Sequence, residues 1–174
     1  MNRIYEFLIS LVLVVALFAV VALFLPAKRT VQFQTESNRP ISTVYDVLNG
    51  FNRFDEWNVL RSDPLLKSQI SDPATGVGAK LSYSSLTRST GSGKWELVES
   101  VPDKLVKFKI EDNTQGHDKT LSIYLGRTGP NNKNTEIVEV YEVDYGWNLL
   151  GRYAGLYVDR NIGDKMKSGG KRLN

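Results

Sequence analysis

Residues 94–111 read KWELVESVPDKLVKFKIE, two runs of alternating apolar and polar side chains separated by Pro102-Asp103. Period-two alternation puts one face of each run against a core and the other in water, which is the pattern of a half-buried strand. A two-residue turn cannot hold a helical crossover, so the two strands pair antiparallel. The same reading extends to Leu66 to Ile70, Ala79 to Ser85, Thr120 to Leu125 and Thr135 to Tyr145. Asp72 to Gly76, Asn113 to Gly116 and Gly129 to Asn132 separate these runs, and each is a short cluster of turn residues.

Towards the amino terminus, Arg29 to Thr35 alternates in the same way and predicts a further strand. Pro40 then opens a helix whose apolar face is Ile41, Val44, Tyr45, Val47 and Leu48, and Asn49-Gly50 stops it. Phe51, Phe54 and Trp57 recur every third residue and predict a second short helical piece. After Gly146 the period changes. Leu149, Tyr153, Leu156, Tyr157, Arg160, Met166 and Leu173 read as one long helix with an apolar stripe. The fold class is therefore α+β: a curved antiparallel sheet of about seven strands around a long carboxyl-terminal helix, with two short helices after the first strand.

Before this domain, Phe7 to Leu25 reads FLISLVLVVALFAVVALFL, with Ser10 as its one polar side chain. At ~1.5 Å per residue it spans ~28 Å as a helix, about one hydrocarbon core. A cleaved secretory signal usually has a shorter apolar region, and Leu25-Pro26-Ala27 fits the small-x-small cleavage pattern poorly. The expected division is a transmembrane anchor over 1–27 and a globular domain over 28–174. Lys28, Arg29 and Arg39 against Arg3 lean towards a cytoplasmic domain, whereas a short amino-terminal tail held inside gives the opposite side.

Hydrophobic residues make up 41% of the 174 and charged residues 24%, which excludes a disordered chain and a polytopic membrane protein. There is no cysteine, so disulfides and thiol chemistry are excluded. The net charge of +3 is mild, and no basic groove interleaved with aromatics points to nucleic acid. Lys165, Lys167, Lys171 and Arg172 form either a solvated helix face or a contact for anionic head groups. Gly76-Val77-Gly78 lacks the lysine and the following helix of a phosphate loop and reads as a turn.

Several strings, taken together, resemble the START-related superfamily of helix-grip proteins, in particular bacterial membrane-anchored SRPBCC proteins of polyketide cyclase/dehydrase type. These are Arg39 to Leu48, Phe51 to Asn58 with its Glu56-Trp57, Gly76 to Ala79, Ser89 to Pro102, Gly151 to Leu156 and Ile162-Gly163. The likeness runs from about Thr30 to Leu173. It implies a sheet gripping the long helix around an apolar cavity, a hydrophobic small molecule or lipid as ligand, and a bacterial inner-membrane location. It implies no fixed catalytic set, because members range from binders to cyclases.

The residues themselves supply few chemical groups. The single histidine, His117, lies in a predicted turn, so neither a metal site nor a histidine-based triad is expected, and no cofactor is implied. Glu99 shares strand parity with Trp95 and Leu97, and Glu139 with Ile137, Tyr141, Val143 and Tyr145. Facing an apolar cavity, either would be a proton-transfer candidate, its pKa raised by desolvation. The solvent face is the commoner place for a glutamate, and a bulge would put Glu139 there. Trp57, Tyr83, Trp95, Phe108, Tyr141, Tyr145 and Tyr153 are the aromatic candidates to line a ligand cavity or to fill a core. The expected function is non-enzymatic binding of a hydrophobic ligand beside the membrane, with a cyclase or dehydratase activity through Glu99 or Glu139 as the alternative.

Overall fold

The computed structural model describes residues 2–87, 90–113 and 118–157. A long helix, α1 (Asn2–Phe24), leads after three residues into β1 (Lys28–Ser37). There follow α2 (Ile41–Leu48), α3 (Phe54–Trp57), β2 (Lys67–Ile70), β3 (Lys80–Ser84), β4 (Ser92–Val101), β5 (Leu105–Asp112), β6 (Asp118–Thr128), β7 (Asn134–Asp144) and α4 (Leu149–Ala154). A 3-10 turn over Gly155–Tyr157 continues α4. Beyond Tyr157 the expected long helix lies outside the described residues, as do the basic cluster at 165–172 and His117.

The seven strands form one antiparallel sheet in the order β1-β7-β6-β5-β4-β3-β2. Strands β2 to β7 meander, as their short turns require, and β1 closes against β7, the strand most distant from it in sequence. The apolar face of α2 is buried through Ile41, Val44, Val47 and Leu48, and α3 buries Phe54 and Trp57. Both helices cover one face of the sheet, the inner face. The inner-face residues of β4 to β7, among them Leu97, Phe108, Ile123 and Ile137, are fully buried.

One irregularity matters for the site. Leu97 pairs with Phe108 but Glu99 pairs with Lys107, so Val98 is an extra residue and a bulge reverses the parity of β4 after Leu97. Ser100 therefore turns inward, where its hydroxyl donates to Asn49 Oδ1 at 2.7 Å and pairs with the Tyr45 hydroxyl at 2.7 Å. Glu99 is left exposed.

The helix α1 is long and apolar enough to cross a membrane. Its side chains point outward from the protein along nearly its whole length, and Ala22 is buried where α4 meets it. Arg152 of α4 closes that junction. Its Nη1 donates to the carbonyl oxygens of Ala22, Leu23 and Leu25 at 3.2–3.3 Å, at the carboxyl end of α1 where carbonyls lack the full set of intrahelical partners. The Tyr153 hydroxyl donates to the Phe18 carbonyl at 2.8 Å, and the two rings meet edge to face. On its opposite side α4 presents buried Gly151 and Gly155; a Cβ at Gly155 would stand 2.8 Å from the Tyr145 ring, so glycine is what lets the helix approach the sheet.

Candidate functional site

Register assigns the inner face row by row. The row nearest α1 runs Arg29, Val143, Lys119, Ile110, Trp95, Leu81. The next runs Val31, Tyr141, Leu121, Phe108, Leu97, and the third Phe33, Glu139, Ile123, Val106, Ser100. Two halves differ in chemistry. On β4 and β5, Trp95 and Phe108 pack with Phe51, Phe54 and Trp57 at ring-centroid distances of 5.2–6.2 Å, most of them tilted or edge to face. On β6, β7 and β1, polar groups stand among the apolar ones.

Glu139 is the most unusual of these. It is 4% exposed, sits between Phe33 and Ile123, and has no hydrogen bond or ion pair among the described residues. Burial alone raises its carboxyl to about 7, so near neutral pH it holds or releases a proton with little bias. Alternation through Thr135, Ile137, Glu139 and Val143 is unbroken, so no bulge turns Glu139 outward. The bulge falls at Val98 instead, and Glu99 is the glutamate it turns to solvent.

Nearer α1, Lys119 Nζ and Asp112 Oδ2 form an ion pair at 2.6 Å, both side chains largely withdrawn from water. Burial, reinforced by the Asp112 charge, pushes the Tyr83 hydroxyl up to about 12. Burial raises Tyr141 further, with Asp112, Tyr83 and Tyr145 adding to it. Tyr145 is raised by burial and partly offset by Arg29. These hydroxyls stay protonated and act as neutral hydrogen-bonding groups. Gly93 makes room for Tyr83, because a Cβ there would collide with the Tyr83 hydroxyl and the Glu111 carbonyl. The Nε of Arg29 and the indole nitrogens of Trp57 and Trp95 are buried without a partner among the described residues.

Of the sequence-derived candidates, the structure brings Trp57, Trp95 and Phe108 into one ring cluster and sets Tyr83, Tyr141, Tyr145 and Glu139 on the inner face or at its end. It does not bring Glu99 or Tyr153 there: the first is outside, the second lies against α1. The pair Asp112–Lys119 was not anticipated, although parity held the signal. Asp112 continues the Phe108, Ile110 series and Lys119 precedes the Leu121, Ile123 series. Among the described residues no group of three or more histidine, aspartate or glutamate side chains is placed to hold a metal.

No protein-family model matches the chain, and no curated protein matches it by sequence. Solved structures do match in fold. Norcoclaurine synthase from Thalictrum flavum, in a complex with dopamine and hydroxybenzaldehyde, superposes with a TM-score of 0.61 at 13% identity, covering 83% of this chain and 85% of that one. A point mutant of the same synthase with a transition-state analogue gives 0.63 at 13% identity over 84% and 94%. A protein from Chromobacterium violaceum gives 0.58 at 14% identity over 83% and 94%. At such identities the likeness establishes the helix-grip fold and nothing finer.

Proposed function

We propose that the protein is a membrane-anchored member of the START-related group and binds a hydrophobic small molecule or lipid against the inner face of its sheet. Residues 1–27 are the anchor and 28–174 the binding domain, and the binding is not catalytic. The observation that carries this reading is positional. An inner face built of apolar side chains, tyrosine hydroxyls and the buried Glu139 carboxyl begins at Arg29, five residues after the end of a helix fit to cross a bilayer. A ligand leaving the lipid phase would meet Arg29, Lys119 and the tyrosines first and Glu139 further in. Trp57, Trp95 and Phe108 form the floor, and the hydroxyls of Tyr83, Tyr141 and Tyr145 orient the ligand. A synthase of the same fold in complex with dopamine and hydroxybenzaldehyde supports a small-molecule ligand.

Full-length protein purified in mild detergent should release a hydrophobic molecule on organic extraction, identified by mass spectrometry in near-stoichiometric amount. If it releases none and takes up no hydrophobic fluorescent dye, the proposal fails. Glu139 supports a second reading, proton transfer on a held ligand, with the Tyr141 hydroxyl two residues along the same strand face to hold that ligand. In that case the extracted molecule would change in mass during incubation with the wild-type protein and stay unchanged with Glu139→Gln.

A further inference from the structure

The turn between β7 and α4 carries an exposed tryptophan that nothing in the inner face explains. Trp147 is 85% exposed and Leu150, one helical turn on, is 82% exposed. Tyr153 and Leu156 continue the same spacing of three along α4 and its continuation, and Trp147 lies in the turn that leads into them. Leu156 is half exposed, and Tyr153 is the member that touches α1. A tryptophan and a leucine side by side in water are costly to hydrate, each of a size worth about 1.5–3 kcal/mol when buried.

The exposure is held in place by the backbone. Gly146 N–H donates to Asp144 Oδ1 at 2.9 Å, Asn148 N–H to the Tyr145 carbonyl at 2.8 Å, and the Asn148 side chain caps α4 by accepting from Gly151 N–H at 2.8 Å. Arg152 then donates to the Gly146 carbonyl through Nη2 at 2.7 Å and Nε at 3.1 Å, while its Nη1 reaches the end of α1. One guanidinium therefore fixes the residue before Trp147 to the last turn of α1.

The position of α4 along α1 sets a depth. Tyr153 meets α1 at Phe18, six residues before Phe24, which is ~9 Å along the helix axis. The polar groups of α4 on this side are spent on backbone carbonyls: the Tyr153 hydroxyl on Phe18, the Arg152 guanidinium on Gly146 and the end of α1. That is how hydroxyl and guanidinium groups are satisfied where water is scarce. Lys28, its side chain exposed, stands just beyond the end of α1, where a cation suits the phosphate level of a bilayer that α1 would cross.

We infer that Trp147, Leu150 and Leu156, with Tyr153, form a membrane-embedding surface that seats the globular domain in the interface of the same bilayer that α1 crosses. This inference rests on the reading of α1 as a membrane anchor. Its occupant is the glycerophospholipid interface, for which tryptophan and tyrosine are the preferred residues. The domain is thus fixed to the membrane at two places, the span and the α4 edge, with Arg152 as the joint between them.

Tryptophan fluorescence reads this directly, because Trp57 and Trp95 are buried in the core while Trp147 is exposed. Full-length wild-type and Trp147→Phe proteins are reconstituted into phosphatidylcholine/phosphatidylglycerol vesicles, with and without lipid brominated near the top of the acyl chains. The emission lost in Trp147→Phe is the contribution of Trp147. Brominated lipid should remove most of that contribution, and iodide in the buffer should leave it unchanged. In Leu150→Glu the protein should stay in the membrane through α1 while Trp147 becomes quenched by iodide. Wild-type protein that resists alkaline carbonate extraction but shows Trp147 quenched by iodide and untouched by brominated lipid overturns the inference alone. Protein released by carbonate overturns the anchor reading and this inference together.

Discussion

The two halves of the inner face are built from the same alternating strands and carry opposite designs. Against β4 and β5, Trp95 and Phe108 pack with Phe51 and with Phe54 and Trp57 of α3 into one cluster of five rings. On β6, β7 and β1, the same positions hold Lys119, Tyr141, Glu139 and Arg29, which ring packing cannot satisfy. The difference separates two tasks. Close-packed rings stabilise the fold through area and dispersion, whereas buried polar groups weaken it unless a partner or a ligand answers them. The aromatic half is the foundation, and the polar half is where the proposed ligand would find groups to recognise.

Breaking the foundation should cost most. Phe108→Ala removes a fully buried ring that touches Phe51, Trp57 and Trp95. A loss of about 3–5 kcal/mol is expected, read as a lowered denaturant midpoint in detergent micelles. Removing one member of the buried ion pair should come next. Lys119→Met takes the cation away from the largely buried Asp112 and should cost about 3 kcal/mol, while Lys119→Met with Asp112→Leu should recover much of it. Recovery in the double variant would show that this pair is retained for something other than stability.

The smallest effect is the most specific. The Glu139 carboxyl titrates at about 7 in the folded protein against an ordinary value of 4.5, so the folded state binds the proton more tightly. Its stabilising contribution is full below the lower value and is lost as pH rises through the upper one. Wild-type protein should lose on the order of 2 kcal/mol between about pH 4.5 and pH 8 on this account. Glu139→Gln, which cannot ionise, should show a flatter profile and be the more stable protein at the alkaline end, measured by urea midpoints across that range. Phe108→Ala should keep the wild-type slope. A slope that moved with Phe108 instead of Glu139 would erase the distinction between the halves.

How much of this was legible beforehand depended on which signal each residue carries. Strands announced themselves by alternation, and their short turns imposed the antiparallel meander, so the sheet and the helices before β2 were readable from side-chain period alone. The pairing of β1 with β7 is a long-range choice that no local pattern reports. Glu99 and Glu139 had the same parity argument, and only one faces inward. A single inserted residue, Val98, decides it, and Val98 is apolar like its neighbours, so nothing in the string marks the bulge. Asp112 and Lys119 were missed because the expected strands stopped at Glu111 and resumed at Thr120, each one residue short. Their charges look like turn residues until the partner is seen on the same face. Tyr153 sits on the expected apolar stripe with Arg152 beside it, and their attachment to α1 follows from how a helix and a sheet edge meet in space.

The closure of β1 on β7 has a consequence for how the chain is made. The strand that emerges first from the ribosome finds its partner roughly 100 residues later, an interval of about 5–20 s at ordinary rates of synthesis. Until then it hangs beside α1 as an unpaired edge, a template that other chains could extend. Lys28, Thr30, Gln32, Gln34 and Glu36 keep one side of it polar throughout that wait. Among the described residues, β1 is locked only once β7 has been made, and the Arg152 joint to α1 forms after it.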